Sequence, residues 1–153
     1  MSRTILNKES IKSGSGTLRA AGLKLTPQRL AIVRCLTGDE THPTAQAIFT
    51  RLQGTFPTIS FATVYNTLGA LAAMQQLNTV CVRGPTRFDP NTVPHDHAIC
   101  DRCGSIRDIV PETEGRQGRG PLSAMTDFHV DRVERIYRGL CRQCARKNKN
   151  PKR

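Results

Sequence analysis

The chain has 153 residues, no Trp, 5% aromatic residues and a formal net charge of +11. That length fits one domain or two small ones, and so few aromatic residues exclude a large core in either, a shortage that a metal staple can offset. The excess of Lys and Arg points to a polyanionic partner, nucleic acid or an acidic membrane surface, although a basic surface can also serve solubility alone.

No run is long and apolar enough to span a bilayer, and residues 1–20 lack the continuous apolar core of a secretory signal. The chain is therefore expected in the cytoplasm, with no membrane contact. In a reducing compartment closely spaced cysteines are more often metal ligands than disulfides.

Residues 1–16 are polar and include Ser13-Gly-Ser-Gly16, which reads as a flexible lead-in. A short helix is expected over Leu18–Gly22. Thr26 followed by Pro27 gives an N-cap and a proline at the first helical position. Leu30, Ile32, Val33, Cys35 and Leu36 then form the apolar face of a second helix ending at Gly38, with Cys35 as a small core residue. A third helix starts at His42-Pro43-Thr44, buries Ala45, Ile48 and Leu52, and stops at Gly54. His42, just ahead of it, reads on its own as a polar loop residue.

The fourth helix is capped by Ser60 and places Phe61, Val64, Leu68 and Leu71 on its buried side. Ser60, Thr63, Asn66 and Thr67 fall on the other side, with Tyr65 beside them. No charged residue occurs from Gly54 to Val82. A helix offering hydroxyls, an amide and a phenol without acids can enter a major groove and touch base edges. A helix sandwiched between two layers would lack charge equally well. A strand over Asn78–Val82, a turn at Gly84-Pro85 and a return strand over Thr86–Asp89 follow, with Cys81 packed in the hairpin. Helices followed by such a hairpin make a winged helix-turn-helix over residues 17–90. Pro90 and Pro94 interrupt any ladder, so residues 91–94 read as a hinge.

The second domain, 95–145, opens on two sets of metal donors. Cys100-x-x-Cys103 and Cys141-x-x-Cys144 are the paired knuckles of a tetrahedral four-thiolate zinc site; disulfides, buried thiols or a redox dithiol are the alternatives. His95 and His97 alternate, so a strand would point both rings to one face, and Asp89, Asp96 and Asp108 lie near enough in sequence to add carboxylates. Imidazole and carboxylate without thiolate suit Fe(II), Mn(II) or Zn(II). Residues 97–110 read as extended and interrupted by the first knuckle. Residues 111–121, with Gly115, Gly118, Gly120 and two prolines, read as a loop or a poor helix. Phe128–Leu140 reads as one long bulged strand, and 146–153 as a mobile basic tail.

Thr26-Pro-Gln-Arg29, His42-Pro-Thr-Ala45, Ser60-Phe-Ala-Thr-Val-Tyr-Asn66, Arg87-Phe-Asp89 and His95-x-His97-x-x-Cys100-x-x-Cys103 occur in this order. Together they resemble the ferric uptake regulator family of bacterial metal-dependent repressors, over residues 17–145 and most closely its peroxide-sensing branch. The resemblance implies an α+β protein: an N-terminal winged helix-turn-helix domain plus a C-terminal α/β dimerisation domain with a four-cysteine zinc site. It implies a regulator rather than an enzyme, a homodimer on a palindromic double-stranded DNA operator, and hydrogen peroxide as signal. Each subunit would hold one structural Zn2+ on Cys100, Cys103, Cys141 and Cys144. It would also hold one regulatory Fe2+ or Mn2+ on His42, Asp89, His95, His97 and Asp108, with His42 and His95 the residues oxidised by peroxide. Asp96 has no ligand role, because Pro94 and Val133 stand where relatives with a further metal site have histidines. Lys24, Arg29, Ser60, Thr63, Tyr65 and Asn66 would contact DNA. An iron- or zinc-responsive repressor of the same family is the nearest alternative. A non-haem iron oxygenase, which also uses two His and a carboxylate, needs more strands than this chain offers. A zinc-ribbon nucleic-acid adaptor would leave the His and Asp residues without a use.

Overall fold

The structure, a computed structural model, describes residues 14–81, 84–110 and 133–149. The chain divides into two compact units, Met1–Val93 and Pro94–Arg153. The first contains α1 (Gly14–Ala20), α2 (Pro27–Leu36), α3 (Ala45–Gln53), α4 (Phe61–Ala73) and the strands β1 (Asn78–Val80) and β2 (Arg87–Asp89). The second contains β3 (Asp96–Cys100), β4 (Ile106–Ile109), β5 (Ile136–Gly139) and α5 (Arg142–Lys149).

Side-chain caps set the starts of three helices in the first unit. The hydroxyls of Thr26, Thr44 and Ser60 accept the backbone N–H of Arg29, Ala47 and Thr63 at 3.3, 3.0 and 3.1 Å, which satisfies donors that the first helical turn leaves open. Pro27 occupies the first position of α2, where no N–H is needed. The helices bury one core of Leu18, Ile32, Val33, Leu36, Ile48, Val64, Leu68 and Leu71, each 0% exposed. Cys35 packs against that core, and burial raises its thiol pKa. β1 and β2 pair antiparallel, Thr79 opposite Phe88.

In the second unit the sheet order is β4-β3-β5. β3 and β4 form an antiparallel hairpin closed by the first knuckle, where Gly104 adopts φ +69° and its N–H donates to the Cys100 carbonyl at 2.8 Å. β5 lies parallel to β3 with His97 opposite Ile136 and Cys100 opposite Gly139.

The α+β class and the order of elements agree with the sequence reading, and six local expectations need correction. Phe61 is 42% exposed, because it stands at the first position of α4, beyond the end of the core, and meets Phe49 edge-on at 5.7 Å. Thr67 is instead buried, its hydroxyl donating to the Thr63 carbonyl at 2.6 Å. A local partner of this kind makes a threonine tolerable on an apolar face. Cys81 is exposed rather than packed in the hairpin, since β1 ends at Val80. α1 begins at Gly14, inside the stretch read as flexible, and Gly14 lies against Val33, where a Cβ would sit 3.4 Å from its Cγ1. Helix α5 continues to Lys149, so 146–149 are not an unstructured tail. Of the expected long strand, only Ile136–Gly139 is paired among the described residues. Residues 111–121 and 128–132 lie outside them.

Leu68 is sealed inside the α2–α4 core, so Leu68→Ala should cost about 2–5 kcal/mol of unfolding free energy. Urea titration followed by helical circular dichroism checks this, and an unchanged midpoint would contradict the packing described.

Candidate functional site

Three sets of side chains carry chemistry. The four sulfurs of Cys100, Cys103, Cys141 and Cys144 lie within 4.8 Å of one another. Strand pairing brings them together: Cys100 ends β3, Cys141 follows β5, and the N–H of Cys141 donates to the Cys100 sulfur at 3.3 Å. Cys103 and Cys141 sulfurs are 3.8 Å apart. A tetrahedral ion with metal–sulfur bonds of about 2.3 Å places its sulfurs about 3.8 Å apart, whereas a disulfide needs about 2.05 Å. All six cysteines are free thiols. The donor set therefore fits a thiophilic divalent cation.

Electrostatics lead to the same reading. Backbone N–H groups, that of Cys141 first, lower the Cys100 thiol to about 6. Burial first, and then the neighbouring cysteines, push Cys144 up to about 12. Four adjacent thiols cannot all ionise unless a cation compensates the accumulating negative charge.

The second set is His42 with Asp89, both buried at the foot of the wing hairpin. His42 has φ +53°, a rare backbone state for a non-glycine residue. Its carbonyl accepts from Arg87 at 3.3 Å, while the next residue's carbonyl, Pro43, accepts the Phe88 N–H at 3.0 Å. The loop before α3 is thus laced to β2. His42 Nδ1 is 3.1 Å from the Glu40 carbonyl. A carbonyl can only accept, so Nδ1 carries a proton, and Nε2 lies 3.8 Å from Asp89 Oδ1. Asp89 Oδ1 also accepts the Asn91 N–H at 2.8 Å.

The third set is His95, His97 and Asp108 in the second unit. His95, immediately before β3, and His97 within it turn their imidazoles to one side, with the two Nε2 atoms 2.9 Å apart. Pairing with β4 sets Asp108 directly opposite His97, its Oδ1 3.6 Å from His95 Nε2 and 4.0 Å from His97 Nε2. Two nitrogens about 2.1 Å from one ion at a right angle are about 3.0 Å apart, so the imidazoles are spaced as neighbouring ligands. Asp96 points the other way: Tyr137 donates to its Oδ2 at 3.4 Å and Arg135 lies 3.8 Å away, consistent with no ligand role. The sequence reading overlooked one residue. Glu134 Oε1 is 2.9 Å from His97 Nδ1, a contact that depends on the β3–β5 register and has no signature in spacing along the chain.

Of the residues expected at DNA, Ser60, Tyr65, Asn66 and Lys24 are exposed, whereas Thr63 and Arg29 are half-buried. Tyr65 is 57% exposed. Ser60 spends its hydroxyl on the cap and on Thr63, 2.9 Å away, and Arg29 donates to the Lys24 carbonyl at 3.1 Å.

Residues 20–134 match the ferric uptake regulator family. The chain belongs to that family. It is 36% identical over 142 residues to the peroxide-responsive repressor PerR of Staphylococcus aureus, covering 92% of this chain and 95% of that one. Among solved structures it is similar to the peroxide stress regulator of Campylobacter jejuni, with a TM-score of 0.65, 26% identity and coverage of 85% and 94%. The ferric uptake regulator of Helicobacter pylori, at 22% identity, shares the fold with a TM-score of 0.71 over 95% of this chain and 97% of that one. As a member of the family the chain is a metal-dependent, DNA-binding repressor and not an enzyme. No helix among the described residues is long and apolar enough to cross a membrane.

Because protons compete with the ion for the sulfurs, metal retention by the four cysteines should weaken progressively as pH falls from neutral, least through Cys100, whose ion-free thiol is already lowered to about 6. Cys144→Ser should remove one tightly held ion per chain at neutral pH. Metal analysis after dialysis against a chelator measures both, and full retention by the serine variant would contradict the four-sulfur site.

Proposed function

We propose that the protein represses transcription as a homodimer whose DNA affinity is set by one regulatory ion, and that hydrogen peroxide is the signal that lifts repression. The observation that carries the reading is the composition of the two thiolate-free donor sets, His42 with Asp89 and His95 with His97 and Asp108. Nitrogen and carboxylate oxygen without sulfur favour Fe(II) or Mn(II) over a thiophilic ion. The four cysteines hold the structural Zn2+.

In this reading the five side chains converge on a single ion, so binding favours one arrangement of the two units, the one in which both reading helices of a dimer match adjacent turns of a palindromic operator. Two features support a dimer: among the described residues β5 lies at the edge of its sheet and is exposed along its whole length, and Val133, Ile136, Tyr137 and Leu140 offer apolar surface there. An open apolar edge is suited to a second copy of the chain.

On the DNA side, Tyr65, Asn66 and Thr63 on α4 reach base edges in the major groove. Ser60 sits at the N-terminus of that helix, beside the phosphates. Arg29 neutralises a phosphate and Lys24 enters the minor groove. The stretch around them carries no acid that would repel the backbone. The working compartment is the cytoplasm.

Bound Fe(II) would supply the one-electron reductant that splits hydrogen peroxide. His42 and His95, the positions implied by the resemblance to the peroxide-sensing branch, are the side chains that would gain one oxygen of the peroxide, the imidazole giving back the second electron and a proton so that the other oxygen leaves as water. An oxidised imidazole donates poorly, so the clamp between the units opens. Sequence kinship with the Staphylococcus aureus peroxide-responsive repressor supports this choice over an iron- or zinc-level sensor.

Metal-depleted protein retaining its four-cysteine ion should bind its own promoter only after Fe(II) or Mn(II) is added. Peroxide should then release the Fe(II) form, with one oxygen added to His42 or His95 by mass spectrometry, and leave the Mn(II) form bound. Unmodified histidines with undiminished DNA binding would reject the peroxide role. Separately, Lys24→Ala should reduce the slope of log affinity against log salt by about one; an unchanged slope would remove Lys24 from the interface.

A further inference from the structure

His97 is fully buried, and each of its two ring nitrogens faces a different chemistry. Nε2 lies 2.9 Å from His95 Nε2 and 4.0 Å from Asp108, whereas Nδ1 lies 2.9 Å from the Glu134 carboxylate, whose side chain is 31% exposed. An imidazole with one N–H presents a donor at one nitrogen and a lone pair at the other, and its environment decides which is which. An ionised carboxylate accepts only.

We propose that Glu134 is the positioning residue of the regulatory metal site: its carboxylate lies 2.9 Å from His97 Nδ1, out of line for a hydrogen bond in this structure, and takes up the Nδ1–H when the ring turns to the ion, fixing the tautomer and ring angle that commit Nε2 to it. The inference rests on the metal-dependent reading above and assigns a role to a residue outside its ligand set. Carboxylates behind metal-bound histidines commonly act in this way, and their removal lowers metal affinity about 10–100-fold.

The backbone makes the contact specific. His97 N–H donates to the Arg135 carbonyl at 3.0 Å, which starts the parallel register of β3 with β5. Successive side chains point to opposite faces, so Arg135 and Tyr137 go to Asp96 while Glu134 goes to His97. At the other end of the same strand pair the Asp101 N–H donates to the Gly139 carbonyl at 2.8 Å, and the Cys141 N–H donates to the Cys100 sulfur at 3.3 Å. A slip of one residue would carry Glu134 to the far face. The four-cysteine cluster therefore holds the register that delivers Glu134 to His97, and links the structural ion to the quality of the regulatory site without ligating its metal.

The test uses the full-length protein with its four-cysteine ion in place and the regulatory metal removed. Mn(II) affinity is read from the electron paramagnetic resonance of free Mn(II). The His97 tautomer is read from long-range 1H–15N correlation spectra of the metal-free protein. Glu134→Ala is expected to weaken Mn(II) binding about 10–100-fold and to turn the single Nδ1–H tautomer of His97 into a mixture. Glu134→Gln, whose amide oxygen still accepts, should keep the Nδ1–H tautomer and lose less affinity; it also serves if the alanine variant folds poorly. Affinity within two-fold of the parent and an unaltered tautomer in Glu134→Ala would overturn the proposal. His97→Ala separates the two levels: loss of Mn(II) binding with no effect at Glu134 rejects only the positioning role, whereas parent-like Mn(II) binding by His97→Ala rejects the metal site on which it rests.

Discussion

The parallel pairing of β3 with β5 is the constraint on which the second unit depends. Parallel pairing is somewhat weaker per residue than antiparallel pairing and requires a long crossover between the strands. Here it is confined to four residues of β5, all of them exposed. Such a ladder offers little burial to hold it. What fixes it is chemistry at its end, where Cys100 and Cys103 close one strand, Cys141 and Cys144 follow the other, and all four sulfurs fall within reach of one ion. An ion there replaces the core that so small a unit lacks. Because a sheet register is all-or-none for side-chain facing, the same staple decides whether Glu134 stands behind His97 or away from it.

Most of this was legible in the sequence because its devices are local. The caps at Thr26, Thr44 and Ser60 are read from one residue and its next turn, the paired knuckles from two short spacings, and the facing of His95 and His97 from strand alternation. Readings failed where the extent of the core, a carbonyl of the same helix or a neighbour distant in sequence decided the outcome. Helical periodicity places Phe61 with Val64 and Leu68, yet periodicity does not say where along the helix the core ends. Thr67 sits on the buried arc because its hydroxyl finds a carbonyl of its own helix, which a polarity scale does not register. Gly14 lies against Val33, and Glu134 stands beside His97. Neither relationship leaves a pattern along the chain.

The two His and Asp sets also show why an oxygenase is a poor reading. The described strands form one two-stranded and one three-stranded sheet, not the many-stranded cage that shields an oxygen-activating iron from water. Asp108 is 26% exposed at the side chain, so its set opens to solvent. Under the proposed peroxide role, an ion in such a place would oxidise its own ligands, a defect in a catalyst but a usable property in a sensor.

Dividing the donors is what makes metal occupancy a switch under the proposed reading. A ligand shifts a conformational equilibrium only by the difference between its affinities for the two states. Had all donors lain in one unit, an ion could bind tightly and change nothing. His42 and Asp89 alone make a weak site, and so do His95, His97 and Asp108 with one carboxylate partly in water. Tight binding then requires the arrangement that unites them, and moving from 1:99 to 99:1 takes a preference of about 10,000-fold between states. Two further ligands from the first unit are a chemically reasonable source of that difference. Under the same proposal, oxidation of one histidine would not need to expel the ion. It need only bring the two affinities close enough that the ion no longer selects between them.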